Sequence, residues 1–529
     1  MIMVAGLLLL IAMRGLGHFW PKTVYEIEYD NGTRIVQIVG ERVETEEVPR
    51  RRIIESGITI DSDEELIERS LIKVGIREVL GVDFMLTVAP NEKRVRVPED
   101  VIVLERTQWG NFYGFLTAVE ERDETVNVDD ARMWDELEAR LQHVTELRER
   151  IEHIEKKSIG AVNFQLEKLR LRKRGLELKG VTEQGPYDQI RVKQGEYHRE
   201  YEVLKAELDA LYREIERDSI VARVMTGDEV KIKLSNVVKA YRPNAMSVGQ
   251  KVIFYIKTFW GFITDDPREA NTEGGIFPAI FGTVVMVLLM SIIVTPFGVI
   301  AAVYLREYAH QGLITRLVRI SVNNLAGVPS IVYGVFGLGF FVYVVGGTID
   351  ELFYREALPS PTFGSGGVLW ASLTLALLTV PVVIVATEEG LARIPRSIRE
   401  GSLALGATKA ETLWRTVLPM ASPAMMTGLI LAVARAAGEV APLMLVGAVK
   451  LAPSLPVDMN APFVHLERKF MHLGFHIYDV GFQSPNVEAA RPLVYATALI
   501  LVAVIVILNL SAIYIRNHLR EKYRNLEQH

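Results

Sequence analysis

From residue 276 onward the chain alternates long apolar runs with short polar connections, the runs falling at about 276–304, 316–346, 366–387, 421–449 and 492–515. A hydrocarbon core of about 30 Å needs about 20 apolar residues per helix, so each run predicts a membrane span. Glycine and proline inside the runs (Pro296, Gly327, Pro329, Pro381) are tolerated where neighbouring helices re-satisfy the backbone. Residues 1–13 form a further apolar run that ends in Phe19, Trp20 and Pro21. It is short for a span, yet lacks the basic start and small-residue cleavage site of a signal peptide. Residues 1–21 therefore predict a first membrane helix, with a natural start expected upstream of Met1. The total is six spans.

Residues 22–255 have a different pattern. Alternating residues at 24–29 and 34–39 flank Asp30-Asn31-Gly32, predicting a hairpin with a type I′ turn. Further strands are predicted at 83–88, 94–97, 101–105, 220–225 and 230–234. Between about 129 and 217 the period changes. Trp134, Leu137, Leu141, Val144, Leu147, Ile151 and Ile154 step by three or four, as do Tyr197, Tyr201, Leu204, Leu208, Leu211 and Ile215. With a Gly185-Pro186 break between them, these stripes predict an antiparallel coiled-coil hairpin whose arms bury mostly against each other. The hairpin is inserted between β parts at about 22–128 and 218–250.

Composition agrees with this division: 49% of residues are hydrophobic and 23% charged. A net charge of −6 argues against nucleic acid as a partner. The absence of cysteine excludes disulfides, cysteine metal sites and thiol nucleophiles. Basic residues orient the spans. Arg306, Arg316 and Arg319 share one loop; Arg393, Arg396, Arg399, Lys409 and Arg415 share the 388–420 loop; Arg516, Arg520, Lys522 and Arg524 lie in the tail. These regions are expected in the cytoplasm, and the 350–365 and 450–491 connections outside. An even helix count then puts 22–275 outside, in the periplasm.

The fifth run contains Arg435-Ala-Ala-Gly-Glu439-Val-Ala-Pro442. Arg435 is 14 residues from either end of the 421–449 run, so it is expected about 21 Å along a helix, near mid-membrane. A charge at that depth costs about 2.5–3.5 kcal/mol on insertion scales. Glu439, at i+4, is placed to pair with it. A guanidinium fork suits a tetrahedral oxyanion; the alternative is an ion pair that only knits helices together. Ser330 and Asn323 are further candidates for a polar path, although small and amide side chains also serve helix packing. His472 and His476 have His-x-x-x-His spacing without a convincing carboxylate, so no metal site is assigned. No nucleophile–base pair occurs in the spans, so no catalytic residue is assigned either.

The 388–420 loop contains Glu400-Gly-Ser-Leu-Ala-Leu-Gly406 and then Leu418-Pro419. Glycine at 406 permits a tight turn between two short helices, and Leu418-Pro419 is expected to end the second where the next span begins. This knob resembles the EAA loop by which ABC-importer permeases dock into their ATPase. Gly401 and Ser402 replace the usual alanines, and Thr416 the usual isoleucine. The Arg-Ala-x-Gly-Glu-x-Ala-Pro string makes the resemblance more specific: the chain resembles PstA-type permeases of phosphate ABC importers. Asn271-Thr-Glu-Gly-Gly275, Ala301-Ala-Val-Tyr-Leu-Arg-Glu-Tyr308, Pro329-Ser-Ile-Val-Tyr-Gly334 and Val380-Pro-Val-Val-Ile-Val-Ala-Thr-Glu-Glu389 agree with it.

The resemblance covers residues 1–21 and about 255–525. It implies a membrane α-helical fold, a six-span ABC-importer permease core (256–529), here joined to an extracytoplasmic α+β domain. It implies phosphate passage at Arg435 and Glu439, and ATPase coupling through Glu400, Gly406, Leu418 and Pro419. The implied partners are a homologous second permease, two ATPase subunits, an external phosphate-binding protein and inner-membrane lipid. No phosphate-binding Gly-x-x-x-x-Gly-Lys-Ser/Thr loop occurs, so this chain binds no cofactor of its own, and ATP with magnesium belongs on the partner ATPase. Two alternatives stay open: a permease for sulfate or molybdate, and a membrane-fusion or secretion adaptor, which also carries a coiled-coil hairpin in a β domain.

Overall fold

A computed structural model describes residues 2–60, 62–75, 81–126, 129, 132–268, 271, 273–484 and 487–527. Met1 and Thr272, both within expected features, lie outside the described residues. The chain divides into two units, Phe19–Gly261 and the remainder, Met1–His18 with Phe262–His529.

Among the described residues, the first unit holds two antiparallel sheets. Strands β1 (Val24–Asp30), β2 (Ile35–Pro49), β3 (Leu66–Lys73), β4 (Phe84–Val88) and β5 (Glu92–Arg96) form one, in the order β4-β3-β2-β1-β5. Strands β6 (Val101–Arg106), β7 (Phe112–Glu121), β8 (Glu124–Thr125), β9 (Asp218–Arg223), β10 (Glu229–Lys233) and β11 (Val237–Tyr241) form the other, in the order β10-β9-β7-β6-β11 with β8 on β7. The β1–β2 hairpin pairs Asp30 with Ile35, so its loop has four residues and is not the two-residue turn expected. Asn31 explains the longer loop, because its Oδ1 accepts from the backbone of Thr33 and Arg34 at 3.0 and 2.9 Å.

Between β8 and β9 the helix Met133–Glu152 continues through a wider turn at His153–Ile159 into Gly160–Leu178, and a second long helix runs Gln184–Ile215. The chain reverses at 179–183, before Gly185-Pro186; Pro186 falls in the first turn of the second helix, where a missing N–H costs little. Arg150–Glu207 and His143–Glu214 pairs show the helices to be antiparallel. Their burial differs from the expectation. Leu137, Leu141, Val144, Leu147 and Ile151 are buried in one core with Val103, Val119 and Ile220 of the sheet. Arg148 donates to the Ser235 and Val237 carbonyls. The first arm thus packs on β strands as well as on its partner helix, because an apolar sheet face needs a cover.

Among the described residues, the second unit holds five helices long and apolar enough to cross a membrane: Phe277–Tyr308, Ser330–Phe353, Val368–Arg393, Lys409–Gly438 and Ala490–His518. The shorter apolar helix Ile2–Gly17 lies along the last of these, with Gly15 against the Tyr495 backbone. Two expected spans are differently bounded. The 316–346 run is split into an amphipathic helix, Leu313–Leu325, and the span that starts at Ser330. Pro329 causes the split, since the residue before a proline is pushed out of the helical region. The 421–449 run is likewise two helices, the span ending at Gly438 and a short helix Ala441–Val446.

Candidate functional site

Each interrupted helix leaves a break, and the two breaks meet. Arg435 is in the last turn of the Lys409–Gly438 span, and Glu439 follows it in extended conformation. The arginine is therefore at a helix end and not in a helix middle as the run length implied. The error arose because the apolar run conceals the stop at Gly438. Arg435 Nε approaches Glu439 Oε1 at 3.7 Å, and Nη2 donates to the carbonyl oxygen of Ala326 at 3.5 Å. Ala326 belongs to the other break, between Leu325 and Ser330.

The contact is held from both sides. Tyr333 is buried, and its hydroxyl donates to the Leu325 carbonyl at 2.5 Å. This satisfies an acceptor left over at the end of the amphipathic helix. A Cβ on Gly334 would come within 2.7 Å of Pro442 Cα, so only glycine lets the Ser330 and Ala441 helices approach this closely. Ser330 is half-buried in the first turn of its span, where backbone N–H groups and the helix dipole favour negative charge. Asn323 stands exposed on Leu313–Leu325, one turn before Ala326. Sequence reasoning did not single out Tyr333, Ala326 or Gly334. The signal available was the pair of strings Pro329-Ser-Ile-Val-Tyr-Gly334 and Gly438-Glu-Val-Ala-Pro442, each joining glycine and proline inside an apolar run.

A second group of residues lies at the far end of the same helices. Arg396–Ala404 is a short helix, Gly406 turns the chain at φ +85°, and Thr408 caps the next helix in a reciprocal arrangement with Glu411. Glu400 is exposed, as are Leu403, Leu405, Lys409 and Trp414. The Arg399 guanidinium pairs with Glu307 at 3.0 Å and donates to the Leu391 and Ile394 carbonyls, while Lys409 reaches the Glu307 carbonyl. This ties the knob to the end of the Phe277–Tyr308 span. Leu418-Pro419 does not end a short helix: Lys409–Gly438 is continuous, and a wide turn at Leu413–Val417 absorbs the proline.

The histidines of the 450–491 connection serve the fold. Nδ1 of His472 accepts from the Gly474 backbone and caps the helix Leu473–Tyr478; His476 Nδ1 is 3.3 Å from Thr497 Oγ1. Burial pushes His472 down to about 3 and His476 to about 4. Among the described residues no group of three His, Cys, Asp or Glu side chains has metal-site geometry.

A profile of the family described as binding-protein-dependent transport system inner membrane component matches residues 294–525. The phosphate transport system permease protein PstA 1 of Mycobacterium tuberculosis (strain CDC 1551 / Oshkosh) is 35% identical over 245 residues, 46% of this chain and 71% of that protein. The probable phosphate transport system permease protein PstA of Methanocaldococcus jannaschii is 32% identical over 189 residues, 35% of this chain and 60% of that protein. Among solved structures, an inward-facing MetNI methionine ABC transporter is 20% identical, covering 46% of this chain and 94% of that chain at a TM-score of 0.34.

Proposed function

This chain belongs to the binding-protein-dependent transport system inner membrane component family, and from that premise we propose that it is a permease subunit of an ATP-driven inorganic phosphate importer. The relatives whose names specify phosphate transport support the substrate. The observation that carries the reading at the residue level is Arg435, a guanidinium held between Glu439 and Ala326 where two membrane helices break. A broken helix pair supplies backbone N–H groups and a cation in one place, the combination a tetrahedral oxyanion needs.

In this reading the path passes Arg435, Glu439 and Ser330, with Asn323 at its edge. The 388–420 knob docks into an ATPase through Glu400 and the exposed Leu403, Leu405 and Trp414. ATPase closure moves the knob, and the Arg399–Glu307 pair passes that movement to the first long span. A homologous second permease completes the path, an external binding protein delivers the anion, and Ile2–Gly17 counts as a sixth span. Parity then puts the 19–261 unit on the periplasmic side. No bond in phosphate is made or broken by this chain.

The test is uptake of labelled phosphate by the complete complex in vesicles. ATP-driven phosphate accumulation that requires the binding protein is expected. Accumulation of sulfate or molybdate in place of phosphate would overturn the substrate.

A further inference from the structure

The helix Val248–Thr264 displays an exposed apolar face. One side is packed: Phe254 lies 4.5 Å from Tyr241 between ring centroids, and Phe19 sets its edge against Tyr255 and Phe259 at 6.3 and 5.2 Å. Another side exposes Val248, Val252, Ile253, Ile256 and Trp260, each more than 40% accessible. At about 100° per residue these five share an arc of roughly 140°. Gln250 and Lys257, both exposed, border it. A contiguous stripe of this kind marks an interaction surface.

Its surroundings say which surface. The Phe262 carbonyl, in the last turn, accepts from the Ile276 backbone at 2.8 Å, and the Asp265 carbonyl accepts from Phe277, the first residue of a membrane span, at 3.3 Å. Trp20 is exposed beside Tyr255, 6.1 Å between centroids, three residues beyond the apolar helix Ile2–Gly17. The last turn of the helix and the residues just after it are thus bonded to the start of a membrane span, and the helix carries the aromatic side chains typical of that depth. Lys251 and Lys257, on two of its turns, set it apart from an apolar membrane span.

We propose that Val248–Thr264 is an interfacial helix that lies in the phospholipid surface, its Val252–Ile256–Trp260 stripe among the upper acyl chains and Lys257 at the anionic headgroups. Amphipathic helices bind bilayers in this way, through apolar area plus basic charge. The proposal goes beyond transport: it gives the chain a lipid contact outside the permease spans.

The cysteine-free sequence permits a direct test. Single cysteines at Val252, Ile256 and Gln250 are spin-labelled in the full chain, assembled with its partners in phosphatidylethanolamine–phosphatidylglycerol vesicles. Collision rates with oxygen and with a water-soluble nickel chelate are then compared. Labels at 252 and 256 are expected to favour oxygen over chelate several-fold more than the label at 250. Free access of the chelate to 252 and 256 overturns the proposal in favour of a solvent face. Shielding from both reagents overturns it in favour of a protein partner. As a check without labels, brominated lipid should quench the unsubstituted protein more than Trp260→Phe; equal quenching is also contrary to the proposal.

Discussion

Arg435 donates to the carbonyl oxygen of Ala326 across two helix breaks that are far apart in sequence, and the contact spans 3.5 Å. A guanidinium has five N–H donors. Glu439 meets Nε and Ala326 meets Nη2, so the described contacts leave donors for a third partner. The side chain at the end of one span also offsets the partial negative charge of that helix terminus.

Replacing Arg435 by glutamine therefore removes the charge and leaves a shorter, neutral polar side chain. Phosphate uptake is expected to fall by about tenfold or more, since a hydrogen bond to a charged group contributes about 1.5–3 kcal/mol. Arg435→Lys should recover part of the rate, because it restores charge without the planar fork. Assembly, followed by size-exclusion chromatography in detergent, should be unchanged. Wild-type uptake by Arg435→Gln would leave the arginine as a structural pair only.

Gly406 sits at φ +85° in a turn where a Cβ would meet nothing within 4 Å. The penalty for a larger residue there is one of backbone conformation and not of space. Gly406→Val should cost about 1–3 kcal/mol of local strain and loosen the turn that presents Leu405 and Trp414. The expected result is reduced co-purification of the ATPase and loss of phosphate-stimulated ATP hydrolysis. Full retention of both would remove the coupling role from this turn.

Much of the architecture was legible in hydrophobic period. Leu137 to Ile154 step at helical spacing and are buried, and the five apolar runs correspond to the five long apolar helices among the described residues. The strands β3, β7, β8 and β11 were not anticipated, since neighbouring strands and not local pattern decide pairing. The site residues were visible as residue types, but their geometry was not. Nothing local says that Gly438 stops a helix while Pro419 and Pro381 are carried inside theirs; the wide turn at Leu413–Val417 that accommodates Pro419 depends on packing of Leu413 and Val417 against Leu391 and Ile394. For the same reason the Arg435–Ala326 contact, which needs both breaks at once, could not be read from either.

His472 and His476 give the protein an acid-sensitive point. Burial holds His472 at about 3 and His476 at about 4, whereas an unfolded histidine titrates at about 6.5. The unfolded chain thus binds more protons below that value, so stability contributed by the neutral imidazoles is complete above about pH 6.5 and declines as pH falls toward 4. Melting in detergent should occur at lower temperature at pH 5 than at pH 7. His472→Asn, which can still cap the Leu473–Tyr478 helix but does not titrate, should lessen that difference. An unchanged difference would move the acid sensitivity elsewhere.

The two ends of the long helical hairpin should respond oppositely to truncation. At its base, Leu137, Val144 and Leu147 are buried in the sheet core, and Arg140 pairs with Asp218 at 2.6 Å and Glu121 at 3.0 Å. Leu137→Ala should cost about 2–5 kcal/mol, the usual range for a large-to-small core change. Removing 129–217 entirely should unfold the sheets it covers. Near the tip the Gly160–Leu178 helix buries Val162 and Leu169 alone, and Leu178 and Val192 are exposed. Joining residue 161 to 196 by a short glycine turn removes only contacts that the two arms make with each other. Full-length protein shortened in this way should keep its phosphate uptake and the protease resistance of its 19–126 segment. Loss of that resistance on tip removal would mean that the whole hairpin, and not its base, supports the sheets.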